Sequence, residues 1–147
     1  MNALRALAPA KVNLGLSLGP ARARDGRHEI VTVMQSISLA DEVTLQAAPA
    51  GSGADEVVCP GVPGPAEENL AAAAVRAFRA ATGWDGGPVR VSIAKHIPVA
   101  AGLGGGSGDA AATLRLLRCA SGLGRLMPNP GKAAWGGLQL RAKEKTQ

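Results

Sequence analysis

Residues 97–112 read I-P-V-A-A-G-L-G-G-G-S-G-D-A-A-A, and no other stretch limits the possible folds as tightly. Gly102, Gly104, Gly105 and Gly106 crowd together just ahead of Ser107. Glycine reaches left-handed backbone at little steric cost and lets main chain approach a neighbour closely. Directly behind them, Ala110, Ala111, Ala112, Thr113, Leu114, Arg115, Leu116 and Leu117 are good helix material. The chain turns in a small space and enters a helix whose first N–H groups lack intrahelical partners. Donors gathered at the positive end of a helix dipole suit a phosphate.

Two better-known phosphate loops do not fit. A Walker A loop needs Gly-Lys-Ser or Gly-Lys-Thr, and the only Gly-Lys pair, Gly131–Lys132, is followed by Ala133. The dinucleotide fingerprint matches at Gly102 and Gly104 but meets Ser107 where its third glycine belongs, and no acidic residue follows at the ribose-binding distance. The plainer alternative is a flexible turn with Ser107 or Asp109 as N-cap. The Ile-Pro entry, the ordered G-L-G-G-G-S and the helix behind it favour phosphate binding.

The remaining pattern gives strands first and helices after. Val12, Leu14, Leu16 and Leu18 alternate with the period of a half-buried strand over 11–18, and residues 4–8 form another strand, separated by Pro9. A polar loop spans 20–27. Strands are predicted over 30–38 and 43–47, broken by a turn-like Ala40, Asp41 and Glu42. Residues 48–65 are rich in Gly, Pro and Ala, with a short strand at 56–59. Leu70, Ala73, Ala74, Ala77 and Phe78 recur at helical spacing, which predicts a helix over 69–82 closed by Gly83. Val89, Val91 and Ile93 mark a strand over 89–94, and the second helix runs to about residue 120. Strands followed by two helices predict an α+β, two-layer domain.

A chain of 147 residues is one domain by expectation and long enough to bury a core. With one Phe, two Trp and no Tyr, that core must come from Val, Leu, Ile and Ala. Cys59 and Cys119 lack metal-ligand spacing and read as small buried hydrophobes in a reducing compartment. The first five residues do not make the apolar stretch of a signal peptide, and no long apolar run marks a membrane span. A cytoplasmic protein without a membrane partner is expected. The net charge of +5 would fit nucleic acid, but residues 125–147 hold five basic residues against Glu144 alone. Only a net +1 is left for residues 1–124, and three aromatic residues make no stacking surface for bases. No nucleic-acid partner is expected.

Four segments, in order, resemble the GHMP kinases, the family of galactokinase, homoserine kinase and mevalonate kinase. They are P-A-K-V-N-L at 9–14, D-G-R-H-E at 25–29, E-N-L at 68–70 and G-L-G-G-G-S at 102–107. The resemblance covers roughly residues 6 to 124. It implies the two-layer GHMP-kinase amino-terminal domain, a mixed sheet with helices on one face. It also implies ATP and Mg²⁺ as cofactors and phosphoryl transfer to an alcohol. The three-glycine loop is more typical of the branch that phosphorylates the 2-hydroxyl of a cytidine diphosphate-linked methylerythritol in non-mevalonate isoprenoid biosynthesis. A small-molecule, cytidine diphosphate-linked substrate is the partner this implies; the oligomeric state is not legible.

The resemblance also assigns roles. Pro98, Val99, Ala100, Ala101, Gly102, Leu103, Gly104, Gly105, Gly106, Ser107 and Gly108 would hold the nucleotide, with the Ser107 hydroxyl on a phosphate or on Mg²⁺. Lys11, on an otherwise apolar strand, would be the catalytic lysine beside the acceptor hydroxyl, where it stabilises charge. The plainer reading is a strand-edge lysine reaching solvent. Asn13, two residues on, shares its direction and would contact substrate. His28 would recognise the cytosine, with Arg27 standing where the family has a stacking Tyr. A guanidinium also stacks on a base. Asn69 and Lys95 resemble positions on the adenine side, although Asn69 is also a good N-cap and Lys95 a strand-end lysine. Asp109, expected in the first turn of the helix, suits its dipole.

Similarity ends near residue 125. The family's G-[SA]-D-V-P-F segment, whose aspartate accepts the hydroxyl proton beside the lysine, has no counterpart, and no aspartate follows Asp109. A frameshifted or prematurely ended reading frame would produce this pattern. The expectation is a truncated kinase with a domain over 1–124 and a basic, disordered tail over 125–147. Three functions stay open: the kinase itself, an inactive nucleotide-binding fragment, and a basic module for RNA or protein that only the tail supports.

Overall fold

The structure, a computed structural model, describes residues 2–123. The expected tail at 125–147 lies outside the described residues. Four strands form one sheet: β1 (Leu4–Ala21), β2 (His28–Ala47), β3 (Glu56–Val58) and β4 (Val89–Ala94). Their order is β1-β2-β4-β3, with β1/β2 and β2/β4 antiparallel and β3/β4 parallel. Helix α1 (Leu70–Thr82) lies between β3 and β4, and α2 (Gly105–Ala120) follows β4. This is the expected α+β domain with a mixed sheet.

The first strands are longer than the sequence pattern predicts. β1 runs through Pro9, where a register shift between Pro9 and Lys11 accommodates a residue without an N–H. β1 is an edge strand, so that absence breaks no inner ladder. β2 runs unbroken through Ala40, Asp41 and Glu42, with Glu42 paired to Ala94. The expected turn there is absent: the Asp41 side chain is bonded to Lys95, His96 and Ile97, just past the end of β4, rather than back to its own backbone.

Both helices bury one face against the sheet. Val43 and Leu45 of β2 lie opposite Ile93 and Val91 of β4, and all four meet Val75 and Phe78 of α1 and Leu116 and Leu117 of α2 in one cluster. Ala71, Ala74 and Ala112 keep the helices close. α1 starts as expected, with the Asn69 side chain accepting the Ala71 N–H at 2.9 Å, and ends at left-handed Gly83.

The half-buried strand expected over 11–18 is extended but not covered. Leu14, Leu16 and Leu18 are 67%, 57% and 64% exposed, and Ile30, Val31 and Val33 on β2 are also exposed. β4 pairs with β2 only over residues 42–47, and in β1 and β2 full burial stops at Ala10 and Asp41. Period two reported the strand correctly, but burial depends on what packs above it. Cys59 is half-buried and Cys119 exposed, so the expectation of two buried thiols fails for Cys119, on the outer side of α2; both are free.

Candidate functional site

The glycine stretch forms a turn built on left-handed backbone. Ala100, Gly102 and Gly104 have φ of 61°, 72° and 76°. Gly104 is the N-cap of α2, with no side-chain cap, so neither Ser107 nor Asp109 caps the helix. Asp109 falls in the second turn rather than the first, and the first turn holds no acidic residue. The opening N–H groups of α2 thus have neither an intrahelical partner nor a side-chain cap. They open on a cavity of about 370 Å³ lined by residues 98–107 and by Cys59, Val62, Glu68, Asn69, Leu70, Lys95 and Asp109.

Ten of the eleven expected nucleotide-binding residues meet at that cavity. Gly108 does not line it; it lies where α2 crosses β1, and a Cβ there would make ordinary contacts of 3.5 Å with the Pro9 carbonyl oxygen and 3.6 Å with Ala8 Cβ. Asn69 and Lys95 both line the cavity, and Asn69 is an N-cap as well. Glu68 belongs to the E-N-L segment but has no role assigned from it, and Cys59 and Val62 had no site signal, since they come from the glycine- and proline-rich segment.

Lys11 ties β1 to the loop. Its N–H donates to the Leu103 carbonyl at 2.9 Å and its ammonium to the Gly102 carbonyl at 2.8 Å. The ammonium lies 3.4 Å from Asn13 Oδ1, which agrees with the shared direction of the two side chains. Neither lines the cavity; Lys11 touches its loop at Gly102 and Leu103, and Asn13 stands next to Lys11. His28 stands elsewhere. It opens β2 opposite Ala21 at the hairpin tip, exposed, with Nδ1 2.8 Å from the Gly19 carbonyl oxygen.

Behind the cavity lies a buried charge cluster that the sequence did not reveal. The Lys95 ammonium bonds Asp41 Oδ2 and, at 2.9 Å, Asp109 Oδ2. Asp41 Oδ1 accepts the N–H groups of His96 at 2.6 Å and Ile97 at 2.8 Å. Burial opposes the charge on Asp41, but the Ile97 N–H, the Lys95 ammonium and the His96 N–H outweigh it and hold the carboxyl below its usual range. For Asp109 burial prevails: it pushes the carboxyl up, with Asp41 adding to it, against the pull of Lys95. Burial would lower Lys95, but bonds to both carboxylates raise it. The Cys59 thiol is pushed up by burial and then by the Asp109 charge, so it is a poor nucleophile.

Uncapped donors over a roomy cavity, with a helix dipole behind them, fit the phosphates of a nucleotide. Among the described residues no three His, Cys, Asp or Glu side chains gather to hold a metal ion. No helix among those residues is long and apolar enough to cross a membrane.

A glycine loop opening a helix over the edge of a mixed sheet is the arrangement of one kinase family's amino-terminal domain. The model of the GHMP kinases N terminal domain matches residues 69–128, so this part of the chain is identified as a GHMP kinase amino-terminal domain. The 4-diphosphocytidyl-2-C-methyl-D-erythritol kinase of Anaeromyxobacter sp. (strain Fw109-5) is 48% identical over 124 residues, 82% of this chain and 39% of that protein. The kinase of the same name from Saccharopolyspora erythraea is 51% identical over 117 residues, 74% of this chain and 35% of that protein. A crystal structure of 4-(cytidine 5'-diphospho)-2C-methyl-D-erythritol kinase superimposes with a TM-score of 0.65 at 38% identity, covering 86% of this chain and 47% of that one. Homoserine kinase from Cytophaga hutchinsonii, at 18% identity and a TM-score of 0.58, shares the fold. The match thus covers 35–39% of the length of these two curated relatives.

Proposed function

We propose that residues 98–107 hold the phosphates of ATP and that the chain serves phosphoryl transfer to the 2-hydroxyl of 4-diphosphocytidyl-2-C-methyl-D-erythritol, the compound in its relatives' name. The observation that carries this reading is the uncapped start of α2 over the cavity, with the Lys11 ammonium bonded to the loop's own Gly102 carbonyl. Phosphoryl transfer asks a protein mainly to hold phosphates, neutralise charge and aim the hydroxyl. The backbone donors of Gly105, Gly106 and Ser107 take the first task, and the exposed Ser107 hydroxyl adds a bond to a phosphate or to Mg²⁺. Bound Mg²⁺ would supply neutralisation of the phosphate charge. Lys11, bonded to the loop, stabilises negative charge on the acceptor oxygen. Asn13 contacts the substrate beside Lys11, whereas His28 and the Arg27 guanidinium, at the hairpin tip, are given the cytosine by the family resemblance alone. The two free thiols fit a reducing cytoplasm.

A specific observation favours a second reading. Among the described residues the Lys11 ammonium bonds Gly102 and Asn13 and no carboxylate. A proton acceptor beside the lysine is therefore missing from those bonds, and nucleotide binding without transfer would result. Two measurements decide. Mg²⁺–ATP at a hundred times its Kd should stabilise the 147-residue chain by about 2.7 kcal/mol, read as a thermal shift. A coupled assay with the cytidine substrate reads transfer. Turnover lost in Lys11→Ala establishes the kinase, binding without turnover the second reading, and no binding overturns both.

A further inference from the structure

Asp41 lies in the last third of β2, fully buried, beside the point where the chain leaves β4 for the glycine loop. Its two oxygens do different work. Oδ1 gathers the N–H groups of His96 and Ile97, the residues that lead into the loop. Oδ2 holds the Lys95 ammonium, which reaches on to Asp109 in the second turn of α2. The same ammonium sits 3.1 Å from where a Cβ on Gly105 would stand, against the first residue of α2. One carboxylate thus sets the entry to the loop, and through one lysine its exit.

Electrostatics alone does not explain this cluster. Two carboxylates sharing one ammonium leave excess negative charge directly behind the cavity, and Asp109 Oδ1 is buried without a partner. Placing this behind an anion site opposes binding unless the geometry it enforces matters more. We infer that Asp41 is a positioning residue for the phosphate cradle, acting through Lys95 to hold the loop and the start of α2 at one fixed separation. The inference rests on the nucleotide reading above for its functional consequence, but the strut it describes exists without nucleotide.

Asp41→Asn separates the two roles. The amide oxygen can still accept both N–H groups, while its NH₂ faces the ammonium and breaks the link to Lys95. The test uses the 147-residue chain and two readouts: amide hydrogen exchange over residues 96–108, and ADP affinity by calorimetry. The expected result for Asp41→Asn is unchanged protection at His96 and Ile97, faster exchange in the loop, and ADP binding weakened about tenfold. Asp41→Asn combined with Lys95→Met should bind ADP no more weakly than Lys95→Met alone, because both cut one strut. Wild-type loop exchange and affinity in Asp41→Asn, or additive losses in the double variant, overturn the inference. If the wild-type chain does not bind ADP, the nucleotide reading fails on its own, and unchanged loop exchange in Asp41→Asn overturns the positioning role separately. Should Asp41→Asn not fold, Lys95→Gln cuts the same strut and leaves both Oδ1 bonds intact. Faster loop exchange in that variant then supports the positioning role, and wild-type exchange overturns it.

Discussion

Gly104 holds its place for two reasons that act together. Its φ of 76° lies where an L side chain is strained, and a Cβ there would stand 3.1 Å from Lys11 Cγ. Gly104→Ala is expected to destabilise the fold by about 1–2 kcal/mol from the left-handed backbone alone. It should also displace the Lys11 ammonium from the Gly102 carbonyl. Urea denaturation reads the first effect, and an unchanged midpoint contradicts it. Gly105 differs: its Cβ would point at Ile97 Cγ2 and Lys95 Nζ, both at 3.1 Å, rather than into open cavity. Gly105→Val should therefore weaken nucleotide binding by moving Lys95 and the start of α2, and wild-type ADP affinity in that variant would count against it. The glycines were legible because a run of them has few structural uses. Asp41 was not: Ala-Asp-Glu reads locally as a turn, while its backbone partners lie 55 and 56 residues away. Periodicity in a window cannot see a bond of that span.

At the scale of elements, the sequence located α1, β4 and the end of α2 well, because caps and period act within a few residues. The lengths of β1 and β2 were harder. Proline on an edge strand and a buried aspartate both mimic breaks, and the sheet pairing that keeps the strands continuous is distant in sequence. A second long-range device holds the end of α1. Arg79 forks onto Asp55 with two bonds of 2.8 Å, donates to the carbonyls of Trp84, Gly86 and Gly87, and lies 4.6 Å from the centre of the Trp84 ring. One guanidinium thus gathers α1, the segment before β3 and the lead into β4. A lysine has no planar fork, and its three donors cannot make all five of these bonds. Arg79→Lys is expected to cost about 2 kcal/mol, measured by chemical denaturation. A loss under about 0.5 kcal/mol, the range of an ordinary surface substitution, would mean the corner is held by packing instead.

For the whole molecule, these buried and half-buried charges set how stability follows pH. Asp41 is held low by its bonds in spite of burial, and Asp55 likewise by Arg79 and the Val89 N–H. Glu56 is held low by the Ser52 hydroxyl and then by Arg90. A carboxyl that is more acidic folded than unfolded stabilises fully above its unfolded pKa of about 4. That contribution is lost as pH falls through the folded value, where protonation of the folded state catches up. Asp109 runs the other way: its raised value means the folded state takes the proton first, which offsets part of the acid loss. Lys95 is raised, so its contribution is complete below about pH 10.4 and disappears only as pH climbs through its higher folded value. The Cys59 thiol is raised as well, so it withdraws stability once pH climbs past its unfolded value of about 8.5. The expected profile is a neutral plateau ending there, with an acid limb carried by Asp41, Asp55 and Glu56. Asp41→Asn removes one of those three groups and leaves Asp109 in place, so urea midpoints measured from pH 7 to pH 3 should fall less steeply than in the wild type. Parallel curves would show that the Asp41 carboxyl titrates alike in the folded and unfolded chain, and that its bonds to Lys95, His96 and Ile97 contribute no charge-dependent stability.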